Sequence, residues 1–233
     1  MTQRACTAAE LSALLPQTQC TRCGYPDCDG YAQAMAQGAA DINRCPPGGA
    51  EGIARLADLT GRPVRPLDPG CGTEGPRQRA VIDEDWCIGC TLCLPACPTD
   101  AILGSNKRMH TVIDRWCTGC ERCLPVCPVD CIRLEPTGSP ATGWAAWSAG
   151  QAKEAGDRYA FHSNRIKLDK ARNQKTLEEK ARTKLADLSA HTHITDPATL
   201  ERKRAVIEAA LERARRRREG GAADAGGSDQ PVG

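Results

Sequence analysis

Fifteen of the 233 residues are cysteine, and all fifteen lie between Cys6 and Cys131. Eight of them form two runs of the same design, Cys87-x2-Cys90-x2-Cys93-x3-Cys97-Pro98 and Cys117-x2-Cys120-x2-Cys123-x3-Cys127-Pro128. Three thiolates two residues apart sit on a tight loop that can wrap one side of an inorganic iron–sulfur cube. Gly89 and Gly119 relieve the backbone strain of that loop, and inward-turned amides there stabilise negative charge. Pro98 and Pro128 then turn the chain so that Cys97 and Cys127 can reach across. Zinc is the rival ligand, but zinc sites normally use two separated pairs or add histidine.

This spacing is that of bacterial two-cluster ferredoxins, in which the fourth cysteine of each run ligates the other cluster. It assigns one 4Fe-4S cluster to Cys87, Cys90, Cys93 and Cys127, and another to Cys117, Cys120, Cys123 and Cys97. Upstream, Cys20-x2-Cys23-x4-Cys28-x16-Cys45 supplies four more thiols. By spacing alone these could hold zinc, form a redox-active pair or carry a third cluster. No histidine lies between Met1 and Met109 to complete a mixed zinc site.

The stretch Pro16-Gln17-Thr18-Gln19-Cys20-Thr21-Arg22-Cys23-Gly24-Tyr25-Pro26-x-Cys28, then Tyr31-Ala32, then Asp41-Ile42-Asn43-x-Cys45-Pro46-Pro47-Gly48-Gly49, resembles the iron–sulfur domain of the B subunit of the Rnf/Rsx electron transport complex. In that family a two-cluster ferredoxin module follows, as it does here, and the resemblance covers about residues 8–135. It implies a third 4Fe-4S cluster on Cys20, Cys23, Cys28 and Cys45. It also implies low-potential electrons passed towards membrane subunits of a translocase that couples ferredoxin and NAD oxidoreduction to ion movement. In some bacteria a related complex keeps a redox-sensing transcription factor reduced. Members of the family typically begin with an apolar anchor and lack a long basic helical extension, and this sequence differs on both points.

The elements that must position these thiols follow from pattern. Ala8, Leu11, Leu14 and Leu15 have helical spacing with Thr7 as N-cap, and a short helix from Asp29 to Gln37 stops at Gly38. Ile53, Leu56 and Leu59 mark another helix ending at Gly61. The motif Val-Ile-Asp…Trp-Cys-x-Gly-Cys-x-x-Cys-Leu-Pro-x-Cys-Pro-x-Asp-x-Ile occurs twice, its cysteines offset by 30 residues. Repetition of this fidelity predicts two copies of strand, cysteine loop and helical turn paired as a pseudo-symmetric domain. The predicted class is α+β, with a 4Fe-4S domain over 1–61, a linker over 62–78 and a βαββαβ-type ferredoxin module over 79–137. A second linker (138–150), a basic helical extension (151–219) and a disordered tail (220–233) complete it. Asp196-Pro197 opens a helix in the extension, with Leu200, Ile207 and Leu211 along one stripe.

Composition narrows the function classes. Residues 1–150 hold 13 basic and 16 acidic side chains, whereas 151–219 hold 18 and 11. An acidic cysteine-rich body thus carries a basic arm, suited to steering an acidic ferredoxin or flavodoxin partner or to resting on anionic lipid. Eight aromatics make a small core that needs metal staples. No secretory signal or apolar span is evident, so the expected location is cytoplasmic, or peripheral on the cytoplasmic face of the inner membrane. No nucleophile elbow, phosphate loop or dinucleotide fingerprint appears, so no substrate chemistry is expected. Two alternatives remain: a free-standing polyferredoxin feeding another enzyme, and a zinc-stapled nucleic-acid-binding module, which lacks aromatic interleaving, so no nucleic acid is expected. Cys131 reads as a small buried residue and Cys6 as a bystander. Cys71 offers an exposed thiol at most. Trp86 and Trp116 read as cluster shields or core, Trp144 and Trp147 as a cover on the ferredoxin body or a docking patch. His191 and His193 read as solvated, and His110 and His162 suggest nothing further.

Overall fold

The computed structural model describes residues 6–224, with side chains described as far as Arg217. Contacts divide it into two compact units meeting between Ile166 and Lys167.

Three short helices open the first unit. Helix α1 (Ala8–Ala13) begins at Thr7, whose hydroxyl accepts from the Glu10 amide while Glu10 reaches back to the Thr7 amide. Helix α2 (Cys28–Ala36) is capped by Asp27, and α3 (Gly49–Thr60) ends at Gly61 in the left-handed conformation. Leu11, Leu15, Tyr31, Met35, Ile53 and Leu56 meet in one core and are almost wholly buried. The Tyr31 hydroxyl donates to Asp41 O (2.7 Å) and accepts from the Arg44 amide (3.1 Å), fixing the loop that leads to Cys45.

The module that follows is built from two small antiparallel ladders. Strand β1 (Gln78–Ile82) pairs with β4 (Ile132–Pro136), from Gln78 opposite Pro136 to Ile82 opposite Ile132. Strand β2 (Ile102–Leu103) pairs with β3 (Thr111–Val112). The first repeat carries the short helix α4 (Cys93–Ala96), and the second makes turns at the matching place, Leu124 N–H donating to Glu121 O (3.0 Å) and Cys127 N–H to Leu124 O (3.1 Å). The α+β class holds, and the repeats match in detail. Asp83 N–H donates to Cys131 O (2.8 Å), and Ile113 N–H, 30 residues on, donates to Ala101 O (2.7 Å).

Residues 138–150, expected as a linker, are a packed clasp. Thr142 pairs with Pro76 in a β-bridge and donates to Glu74 (2.6 Å). Trp144 is 3% exposed, its indole N–H donates to Leu14 O (2.8 Å), and the Arg55 guanidinium lies 4.4 Å from its ring. Trp144 therefore covers the N-terminal helices and not the ferredoxin module. Trp147 is half-buried under Arg77.

Sequence alone left the packing of the basic helical extension open; the first half of helix α5 (Ala149–Ala186) buries Ala152, Ala155 and His162. Arg158 donates to Thr99 O (2.6 Å) and lies 3.5 Å from the Trp116 ring, while Tyr159 donates to Asp27 (2.8 Å). Asp100 Oδ1 meets both His162 Nδ1 and an Arg165 nitrogen at 2.6 Å. Small and polar residues hold this helix down, which is why apolar periodicity did not reveal it.

In the second unit the rest of α5 is followed by α6 (Pro197–Asp224), capped by Asp196 accepting from the Thr199 amide and hydroxyl. Residues 220–224, expected as part of a disordered tail, close α6 as helix. Residues 225–233 of that tail lie outside the described residues. Leu177, Ala181, Ile207 and Leu211 line a groove within this unit. Among the described residues no helix is long and apolar enough to cross a membrane.

Candidate metal centres

Cys87, Cys90, Cys93 and Cys127 line one cavity. Cys97, Cys117, Cys120 and Cys123 line another. The chain thus brings the fourth cysteine of each run to the first three of the other. Within the described residues the thiols stand around voids, and no three His, Cys, Asp or Glu side chains converge on a single-ion position. That arrangement fits a cube with a metal at each ligated corner.

The loops reach this geometry through paired backbone choices. Gly89 and Gly119 have φ of 67° and 66°, Thr91 and Glu121 both 65°, and Asp100 and Asp130 49° and 51°. A Cβ on Gly119 would fall 2.3 Å from Gln78 O, and one on Gly89 2.5 Å from Arg108 N, so both positions need glycine twice over. Backbone donors already point at sulfur. Ala80 N–H lies 3.3 Å from Cys117 Sγ, His110 N–H 3.3 Å from Cys87 Sγ and Ala101 N–H 3.2 Å from Cys97 Sγ.

The upstream four also assemble. Gln17, Gln19 and Thr21 hold left-handed φ of 55–62° and coil the loop around Cys20 and Cys23. The buried Gln19 side chain accepts from the Cys28 amide (2.9 Å) and donates to Gln17 (2.8 Å), tying that loop to the start of α2. Amides of Gly48 and Gly49 donate to Cys45 O, and Cys45 lies near enough to Cys20, Cys23 and Cys28 for their charges to act on one another. Cys71 joins this neighbourhood. It is buried and acts on both Cys23 and Cys45, so the minor alternative of an exposed redox thiol is ruled out.

Electrostatics point the same way. Burial pushes Cys93 up to about 11 and Cys120 and Cys123 up to about 12, and neighbouring sulfurs add to each shift. Burial likewise holds Cys28 and Cys45 well above the ordinary thiol range. Cys127 differs: burial raises it, but amides of Val129, Cys131 and Asp130 and the Cys131 thiol outweigh that and lower it. Crowded, buried thiols of this kind are matched by a bound metal, whose cationic charge takes the protons off.

Known proteins carry the same features. The family model described as a 4Fe-4S dicluster domain matches residues 80–134, and an Fe-S cluster family model matches residues 15–47. The B subunit of the ion-translocating oxidoreductase complex of Azoarcus sp. (strain BH72) is 63% identical over 135 residues, covering 58% of this chain and 74% of that one. The protein of the same name from Alkalilimnicola ehrlichii is 55% identical over 139 residues, covering 59% and 74%. That of Hahella chejuensis is 59% identical over 136 residues, covering 58% and 68%. The chain belongs to the family of B subunits of ion-translocating oxidoreductase complexes. It is an iron–sulfur electron-transfer protein.

Of the remaining residues, Trp86 departs from its sequence reading, while Cys131 keeps its reading as buried and His191 and His193 theirs as solvated. Trp86 is 70% exposed and shields nothing, and Trp116 is half-buried beneath Arg158. Cys131 is buried with its sulfur 3.5 Å from that of Cys127, and the Cys6 thiol donates to Leu59 O (3.3 Å). His191 and His193 are exposed. Two histidines were missed. His162 ties α5 to Asp100, and His110 lies inside the Cys87 cavity. The signal for His110 was the repeat itself, because at an offset of 30 it stands where the other copy has Ala80.

Proposed function

We propose that this chain carries single electrons through three 4Fe-4S clusters. One is held by Cys20, Cys23, Cys28 and Cys45, one by Cys87, Cys90, Cys93 and Cys127, and one by Cys117, Cys120, Cys123 and Cys97. The clusters supply the electron-accepting chemistry, while the chain sets spacing, burial and docking. The observation that carries this reading is the grouping of the twelve motif cysteines, four to each of three neighbourhoods with Cys71 and Cys131 beside two of them, and two of the groups crossed between the repeats.

The contacts also support an order. Thr118 Oγ1 donates to Thr18 O (3.0 Å) and Arg22 pairs with Glu121, so the Cys20 loop abuts the Cys117–Cys120 loop. The path then runs from the Cys20 site to the Cys117 site to the Cys87 site. Residues flanking the last ligands, Trp86, Ile88, Leu92 and Met109, are exposed, which supports partner docking at that end. The partners are a ferredoxin or flavodoxin type carrier and the membrane subunits of an ion-translocating oxidoreductase complex, met at the cytoplasmic face.

Iron and acid-labile sulfide, measured after anaerobic purification, test the reading. About twelve of each per chain is expected for three four-iron clusters, falling by about four iron in Cys45→Ser. Stoichiometric zinc without sulfide overturns it.

A further inference from the structure

The two halves of the ferredoxin module match in their hydrogen bonds as well as in their cysteines. Ala80 donates its amide to Cys117 Sγ, and its counterpart His110 donates its amide to Cys87 Sγ, both at 3.3 Å. At this position the side chains differ in kind, and a second difference lies at Ala101 and its counterpart Cys131, whose sulfur is 3.5 Å from that of Cys127. Ala80 offers a methyl to the Cys117 cavity, whereas His110 puts an imidazole into the Cys87 cavity.

That imidazole is held in place. His110 is 1% exposed, and its Nδ1 lies 3.4 Å from Cys93 Sγ. Its Nε2 is buried with no hydrogen-bond partner among the described residues. Gly104 leaves the room the ring occupies, since a Cβ there would fall 1.8 Å from His110 Cδ2.

The position of the ring proton follows from the ligand. A cysteine sulfur bound to iron has no proton to give, so the contact is a hydrogen bond only when Nδ1 carries the hydrogen. Nε2 is then a bare lone pair, and the buried group left without a partner is an acceptor. The other tautomer would bury an N–H with no acceptor and set a lone pair against the sulfur's negative charge.

We propose that His110 Nδ1–H donates to Cys93 Sγ and raises the reduction potential of the cluster on Cys87, Cys90, Cys93 and Cys127 above that of its repeat partner. The inference rests on the three-cluster reading above. Reduction adds one electron, and the added negative charge spreads onto the ligand sulfurs. A donor at sulfur stabilises that reduced state more than the oxidised one, and hydrogen bonds to sulfur are one of the levers that set cluster potentials. The methyl of Ala80 has no such effect. An electron arriving through the Cys117 site therefore moves downhill to the Cys87 site.

The test is an EPR-monitored redox titration of the anaerobic holoprotein, unchanged and with His110→Phe and His110→Asn. In His110→Phe, which fills the space without a donor, one cluster becomes harder to reduce by on the order of tenfold, about 59 mV for a one-electron couple, and the others do not move. In His110→Asn an amide N–H occupies the place of Nδ1, and the potential stays near that of the unchanged protein. No shift in His110→Phe, equal shifts of both module clusters, or an equal fall in His110→Asn overturns the proposal. Unchanged protein labelled with 15N-histidine gives a second measurement that needs no variant. Nitrogen coupling to one reduced module cluster is expected, and its absence overturns the proposal. A module that shows no pair of four-iron signals before any substitution defeats the electron-transfer reading itself, a separate outcome.

Discussion

Removing the Trp144 side chain should release iron from the Cys20 site selectively. Trp144 is 3% exposed, its edge lies against Gly52, and its backbone amide donates to Gly48 O (3.1 Å), two residues beyond Pro46 and three beyond Cys45. Its indole N–H satisfies Leu14 O, at the end of α1. Truncating a buried Trp to Ala costs about 3–5 kcal/mol, and this cost falls on the N-terminal helices the ring covers. If a chelator reaches the Cys20 site through local opening, its rate tracks the open population. Each 1.4 kcal/mol is tenfold, so about 3 kcal/mol speeds iron loss on the order of a hundredfold. Trp144→Phe keeps most of the ring and loses one hydrogen bond, about 1 kcal/mol, so roughly a fivefold increase is expected. The assay follows iron release to an excess of chelator under anaerobic conditions, with EPR identifying the clusters that remain. Release of module iron before that of the Cys20 site, or a Trp144→Ala rate equal to that of the unchanged protein, refutes the assignment of Trp144 to the N-terminal domain.

Two further predictions concern the backbone and the second unit. Gly38 and Gly119 share a positive φ, but a Cβ on Gly38 meets nothing within 4 Å while one on Gly119 meets Gln78 O. Gly38→Ala should cost only the left-handed strain of about 1–2 kcal/mol, and Gly119→Ala clearly more, read as a lower temperature for loss of cluster absorption; equal effects would contradict the close approach. A chain ending after Ile166 should keep full iron content and unchanged potentials, because the contacts of His162 and Arg165 with Asp100 and all twelve cysteines proposed as ligands precede that point. Iron loss on truncation would show that residues 167–224 help to hold the sites.

The sequence made the thiol chemistry plain and concealed what packs over it. Cysteine spacing is a one-dimensional record of a three-dimensional cage, so Cys97 and Cys127 could be assigned across the repeat before any coordinates. Caps at Thr7 and Asp196 and the left-handed stop at Gly61 were equally local, and were legible for that reason. The clasp at 142–147 was not, because its Gly- and Pro-rich flanks look like a linker while its energy comes from contacts with Leu14, Gly48 and Glu74 far away in the chain. The docking of α5 was hidden for another reason. Ala152 and Ala155 are too small to mark a stripe, and Arg158, Tyr159, His162 and Arg165 bind backbone oxygens and carboxylates that no periodicity encodes.

A duplicated motif on its own builds two equal sites, and two equal sites give an electron no preferred direction. The asymmetry must therefore come from residues outside the cysteine pattern, and they are distinct on the two sides. Thr118 and Glu121 of the second repeat meet the N-terminal domain, whereas Trp86, Ile88 and Leu92 of the first repeat are left exposed. Arg158 and His162 cover Thr99 and Asp100 of the first repeat, while their counterparts Val129 and Asp130 have no contact with α5 among the hydrogen bonds of the described residues. Within the pockets, the same amide bond to sulfur is kept in both halves, and the side chain above it changes from methyl to imidazole. Keeping the cage while varying its lining is the least disruptive way to separate two potentials, since the ligand geometry that makes both clusters possible is left untouched.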